Sequence, residues 1–193
     1  MSANIFVKEK KLYAIITLSG LVGLLASFMQ LLDKIEILKK PDSVLICNIN
    51  AVFSCSNILN VWQSSVFGFP NSLMCVIFFA VMITAGLVGW TGGIISNKLR
   101  IIFMGMAWFF VGFGFWYLWQ SIYIVGAMCI YCIFCYGAVL AISGSWLRLN
   151  YRNLRLNKKN EKILGKFINN NSDIAFWILI AIIIAIEAIT KFA

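Results

Sequence analysis

The chain has 193 residues, of which 62% are hydrophobic and 12% charged, with a formal net charge of +9. A mean hydropathy of +0.91 lies far outside the range of globular domains and excludes a soluble enzyme. The absence of histidine excludes imidazole base chemistry, Ser-His-Asp and Cys-His pairs and histidine metal sites, which leaves six cysteines as the reactive side chains in unusual supply.

In chain order the pattern predicts an all-α integral membrane protein with five transmembrane helices, at residues 12–32, 71–95, 101–123, 127–146 and 174–190. Each is close to the roughly 20 apolar residues that cross a ~30 Å hydrocarbon core. The first is expected as a retained anchor, because its apolar run is too long for a signal peptide and no A-x-A-like site follows. The connection 33–70 holds Cys47-x7-Cys55, followed by Ile58, Leu59 and Trp62 at helical spacing beside Asn57, Asn60 and Gln63. That pattern predicts a short amphipathic helix in the membrane interface, carrying Cys55 across the mouth of the bundle. Pro70 is well placed to start the second span. The third span is crowded with aromatic residues, of which Trp116, Trp119 and Tyr123 fall where an interfacial belt is expected. An uncharged turn at 120–126 leads to the fourth span, and a basic connector at 149–173 leads to the fifth, with lipid as its neighbour.

The charges set an orientation. Lys8, Lys10 and Lys11 against Glu9, Lys98 with Arg100, and the seven basic residues from Arg148 to Lys166 against Glu161 and Asp173 together account for the whole net charge of +9. Basic residues near span ends are held in the cytoplasm. The N-terminus is therefore expected inside, with the C-terminus and both cysteine groups on the extracytoplasmic side of a bacterial inner membrane, where disulfides persist. Because topology explains the basic charge, no nucleic-acid partner is expected.

Cys129-Ile-Tyr-Cys132 opens the fourth helix. At about 100° per residue the two sulfurs differ by only about 60° and share a face, while unpaired amides at a helix start stabilise a thiolate below its free pKa of ~8.5. Tyr136 lies one turn deeper on the same side. Cys135 forms an overlapping CxxC with Cys132 but sits beyond the first turn, and Cys75 reads as a small buried hydrophobe. The run C-x2-C-x2-C imitates part of an iron–sulfur signature, yet Val139 occupies the fourth ligand position, so neither a cluster nor another metal is expected. A membrane scaffold or carrier with static disulfides is the alternative from another class. Apart from Glu187, however, the span centres lack the charges that transporters often use.

In combination, Cys47-x7-Cys55, Phe67-Gly-Phe-Pro-Asn-Ser72 and Ala127-Met-Cys-Ile-Tyr-Cys132 resemble the vitamin K epoxide reductase family, in particular its bacterial members. The resemblance covers the first four spans and their loop. It implies a catalytic four-helix bundle over residues 1–148 around a quinone site, with an external cysteine loop at 33–70 and a fifth, peripheral helix at 174–193. It further implies that Cys132 reacts with a menaquinone, ubiquinone or phylloquinone-like ring, that Cys129 exchanges with Cys55, and that Cys47 is the outer loop partner. Asn71 and Tyr136 match positions that hydrogen-bond the quinone. The implied activity is reoxidation of an external thioredoxin-fold dithiol protein, with electrons passed to quinone in support of disulfide formation. Many bacterial relatives carry a fused thioredoxin-like domain; with the chain ending at Ala193, the partner is expected as a separate protein. Where many relatives place a hydroxyl residue six positions after the second loop cysteine, this chain has Val61. The disulfide bond formation protein B type is a rival within the same chemistry, but it places CxxC in its first external loop, the reverse of the order here.

Overall fold

In a computed structural model the described residues form seven α-helices, α1 (Ala3–Lys39), α2 (Cys55–Leu59), α3 (Asn71–Trp90), α4 (Asn97–Gln120), α5 (Ile130–Asn150), α6 (Lys158–Asn169) and α7 (Ser172–Phe192). The structure describes residues 3–192 except 42, 44, 46, 50–52, 152–153, 155–157 and 171, and also leaves undescribed the side chains of 3–8, 158–162, 169, 172–173, 176, 184–185, 187–189 and 191–192. Glu187 and most charges of the basic connector thus lie outside the described residues. Among those described, α1, α3, α4 and α5 are long and apolar enough to cross a membrane, and the predicted fifth span falls on α7.

The bundle is built around α1, which packs on α3 and α5, with α4 closing against α5. Small residues allow the close α1–α3 approach, as in membrane helix pairs generally: a Cβ added to Gly89 would run into the ring of Tyr13, and one added to Gly86 would meet Thr17. Between the helices lies an aromatic core. Phe78 stacks on Phe110 with centroids 4.2 Å apart, and fully buried Trp146 meets Tyr13 edge-on at 5.9 Å. Leu18, Leu25, Ile77 and Ile102 are exposed on the outside, as expected where the surrounding solvent is hydrocarbon. Trp177 of α7 meets Trp108 of α4 at a tilt of 47°, with ring centroids 5.5 Å apart.

Several boundaries differ from the sequence expectation, α3 ending at Trp90 rather than 95 and α4 running from Asn97 to Gln120 rather than 101–123, and three of the differences have a physical reason in the contacts. Helix α1 continues well past residue 32, because Asp33 and Lys34 find polar partners in the loop and Gln30 finds one at the start of α5. Helix α5 begins at Ile130 rather than at 127, because Met128 pairs with Phe53 in an isolated parallel bridge and accepts the Ser54 amide at 3.1 Å. The predicted amphipathic helix stops at Leu59: Ile58 and Leu59 are buried, but Trp62, at 67% exposure, starts a 3-10 turn (Trp62–Ser65) instead of extending their face. The turn before α5 is a π-helical segment (Ser121–Val125) that ends at Gly126 with φ +69°, a left-handed conformation that glycine adopts without strain.

Candidate functional site

The loop after α1 is folded by its own polar residues. Ser54 caps α2, its hydroxyl accepting the Asn57 amide at 3.5 Å. Asn48 donates to the Ser56 hydroxyl at 2.7 Å and accepts the Ser56 amide at 3.1 Å. Together with the Cys47–Cys55 disulfide, whose Cα atoms are 5.8 Å apart, these contacts close a compact cap on this end of the bundle. The cap is clamped to α1 by buried Lys34, whose ammonium donates to the Leu59 carbonyl and, at 3.2 Å, to the Ser64 hydroxyl. Ser64 in turn lies 2.8 Å from the carbonyls of Leu59 and Val61. The hydroxyl that is missing at Val61 is therefore present three residues later, within the same docked segment.

That clamp presses Cys55 onto the segment preceding α5. Cys55 and Cys129 are 0% and 2% exposed, and their sulfurs lie 3.3 Å apart. Cys129 is not the first residue of the helix, as the spacing suggested, but its extended N-cap (φ −102°, ψ 124°). The hydrogen bond from the Cys132 thiol holds the Cys129 thiol below its ordinary range; burial opposes this, and the backbone amides of Cys132 and Tyr131 add to it. The expected effect of a helix start thus acts on the cysteine that faces the loop. Cys132 lies deeper and receives the Gln30 side-chain amide at 3.2 Å, an amide that is also 3.9 Å from Cys129.

Behind Cys132 opens a cavity with about 630 Å³ of atom-free space, part of it open to the surroundings. Its walls are mostly apolar or aromatic, including Phe110, Phe113, Tyr117 and Val139, and Cys75 and Cys135 also line it. The polar exceptions are Gln30, Ser64, Asn71, Ser72 and Tyr136. Asn71 clasps the loop, donating to the Gln63 carbonyl at 2.7 Å and accepting the Val66 amide at 3.2 Å, which leaves its second amide hydrogen available. The Ser72 hydroxyl is buried without a hydrogen-bond partner among the described residues. The Tyr136 ring packs on Gly114, where a Cβ would lie 2.5 Å from it. A flat apolar ring with carbonyl acceptors fits this donor set, because each ring oxygen could meet a buried N–H or O–H.

The four candidate cysteines thus form one continuous series, and Asn71 and Tyr136 line the cavity at its inner end. The family model for the vitamin K epoxide reductase family matches residues 14–145. The chain belongs to the vitamin K epoxide reductase family. A search of curated proteins finds no match. As a member of this family the protein is a multi-pass membrane thiol oxidoreductase, and the family is generally quinone-linked and works with thioredoxin-like partners.

Sequence reasoning missed the outer end of α1. Gln30, Asp33 and Lys34 occupy successive positions on one face, joined by Ile37, which packs with Cys47, Cys55 and Cys129. Their signal was available: polar residues at i, i+3 and i+4 where an apolar run ends, a spacing that aims them at a common neighbour. Asp33, Cys47 and Cys55 also bring an oxygen and two sulfurs within 4.8 Å, but the disulfide occupies both sulfurs, so in this state they are not metal ligands.

Proposed function

We propose that the protein oxidises an extracytoplasmic thioredoxin-fold dithiol and passes two electrons to a membrane quinone, linking a disulfide-forming system in a bacterial inner membrane to its quinone acceptor. The charge distribution supports an inside N-terminus, with the cysteine loop and the end of α7 outside, α7 serving as a fifth span. Residues 1–148 are the catalytic unit, and 149–173 a basic cytoplasmic connector. The observation that carries the reading is the 3.3 Å approach of Cys55 to Cys129, since thiol–disulfide exchange requires one sulfur to reach another directly.

The reaction begins when a partner thiolate attacks Cys47 and Cys55 leaves as a thiolate. Cys47 is buried, at 3% exposure, so the loop opens there as the partner docks. The partner's second thiol then completes its own disulfide and releases Cys47. The Cys55 thiolate attacks Cys129 of the oxidised CxxC pair, and Cys132 leaves toward the cavity as a thiolate, hydrogen-bonded by Gln30. A quinone held there by Asn71 and Tyr136, with Ser72 beside them, supplies the acceptor for two electrons and two protons. Attack of Cys47 on Cys55 frees Cys129, and the CxxC disulfide re-forms as the electrons leave. In the proposed cycle, a bonded Cys47–Cys55 pair beside free Cys129 and Cys132 is the arrangement that follows electron transfer to the CxxC pair.

Quinone reduction by purified protein, driven by dithiothreitol and separately by reduced thioredoxin, tests the proposal. Activity with both donors, lost in Cys132→Ala, is the expected result; normal turnover by Cys132→Ala contradicts it.

A further inference from the structure

The thiol relay leaves one step without a proton acceptor. When Cys47 resolves the Cys55–Cys129 bond it must lose its proton, and a free thiol with a pKa of ~8.5 is mostly protonated near neutrality. We propose that Asp33 is that acceptor, a catalytic base for Cys47; the assignment rests on the shuttle reading above. The Asp33 Oδ2 atom lies 3.2 Å from Cys47 Sγ, within the distance at which a base takes a proton directly.

The redox state in which this contact occurs strengthens the argument. Cys47 is disulfide-bonded, so its sulfur has no proton to donate, and a bare carboxylate oxygen would face it with no hydrogen between them. In the proposal one proton is shared between the two atoms, on the sulfur while the loop is reduced and on the carboxyl once Cys47 has attacked. Lys34, next in sequence, does not neutralise Asp33, because its ammonium is turned to Leu59 and Ser64. Among the described residues no cation is paired with Asp33. The titratable groups that face it are Glu36 on the following turn of α1, Cys47 and Cys55 of the loop, and Cys129 and Tyr131 at the start of α5.

The step balances internally. The Cys47 proton passes to Asp33, the Cys47 electron pair forms the bond to Cys55, the Cys55–Cys129 bond breaks, and Cys129 leaves with both electrons as a thiolate. The loop pair is oxidised and Cys129 is reduced. Asp33 returns the proton when the next partner reduces the loop and Cys47 departs.

The test uses the full chain, fully oxidised, mixed with reduced thioredoxin, acid-quenched at intervals and analysed by mass for the Cys55–Cys129 cross-link. In Asp33→Asn the cross-link should accumulate and resolve about 100-fold more slowly at pH 6.5. The deficit should shrink about tenfold per pH unit as hydroxide ionises Cys47, vanishing near pH 8.5. Asp33→Glu, which restores a carboxylate, should resolve the cross-link with the pH dependence of the wild type. Resolution at the wild-type rate in Asp33→Asn, a deficit independent of pH, or a defect in Asp33→Glu as large as that in Asp33→Asn would overturn the assignment. A wild-type protein that reduces quinone yet never forms the Cys55–Cys129 link would remove the shuttle, and Asp33's role with it. A wild-type protein that forms the link but gives the Asp33→Asn results above would leave the shuttle standing and remove only the base.

Discussion

Cys129 and Cys132 are three residues apart but belong to different chemical regions. Cys129 sits at the mouth, among backbone amides, a capped helix and a loop held by hydrogen bonds. Cys132 sits a turn deeper, with one amide from Gln30 and a mostly apolar cavity beyond it. Thiolate exchange is favoured by donors that stabilise charge, whereas holding a lipid-soluble ring is favoured by apolar walls. A helix start at the edge of the membrane supplies both environments within one turn, so a two-residue spacer suffices to carry electrons from one to the other.

The sharpest way to break this comparison is to remove the inner sulfur. Cys132→Ala should lower quinone reduction by at least about 1,000-fold with every donor, whereas removal of the outermost sulfur should discriminate between donors. Cys47→Ala should lose about 100-fold with reduced thioredoxin but stay within a few-fold with dithiothreitol, which reaches Cys129 directly. Comparable losses with both donors would contradict a mouth that selects the partner.

The environments themselves can then be exchanged. Gln30→Leu keeps the side-chain bulk but removes the donor to Cys132, and should slow quinone reduction about tenfold, since hydrogen bonds to charged groups are worth roughly 1.5–3 kcal/mol. At the mouth, Cys129 is held below the ordinary thiol range, first by the Cys132 thiol. A thiolate exists above its pKa, so alkylation of Cys129 in the fully reduced protein should persist well below pH 8.5 and fall tenfold per unit only at lower pH. In Cys132→Ala that profile should move upward, and an unchanged profile would exclude the hydrogen bond as its cause. The smallest effect concerns the clamp. Lys34→Met removes the donor shared by the Leu59 carbonyl and the Ser64 hydroxyl and should cost about 1–3 kcal/mol, read as a lower melting temperature and faster hydrogen exchange confined to α2 and the 3-10 turn.

Much of this arrangement was legible in the sequence because it depends on local pattern. Five apolar runs read as spans, and four of them fall on the helices that are long and apolar enough to cross a membrane among the described residues, while the Cys129-x-x-Cys132 spacing pointed to a thiol pair on one face. Cys47-x7-Cys55 and the Phe67–Ser72 segment carried the family resemblance. What was not legible depends on contacts distant in the chain. Residues 127–129 have the composition of a helix start but are extended, because Phe53 pairs with Met128, a preference that no window around Cys129 encodes. Likewise Asp33 and Lys34 read as the end of a span and a charge-balanced loop, whereas the loop they meet turns them into hydrogen-bonding partners that prolong α1. Ser64 shows the same limit: its clamping role depends on a lysine thirty residues earlier.

The central claim is that Cys55 and Cys129 meet directly. The most direct measurement is mild oxidation of the Cys47→Ala/Cys132→Ala protein in its membrane, followed by proteolysis and mass determination of the linked peptides. The account predicts a near-complete Cys55–Cys129 disulfide, with neither residue open to alkylation. Two free, alkylated cysteines, or labelling of the pair from opposite sides of the membrane, would contradict it.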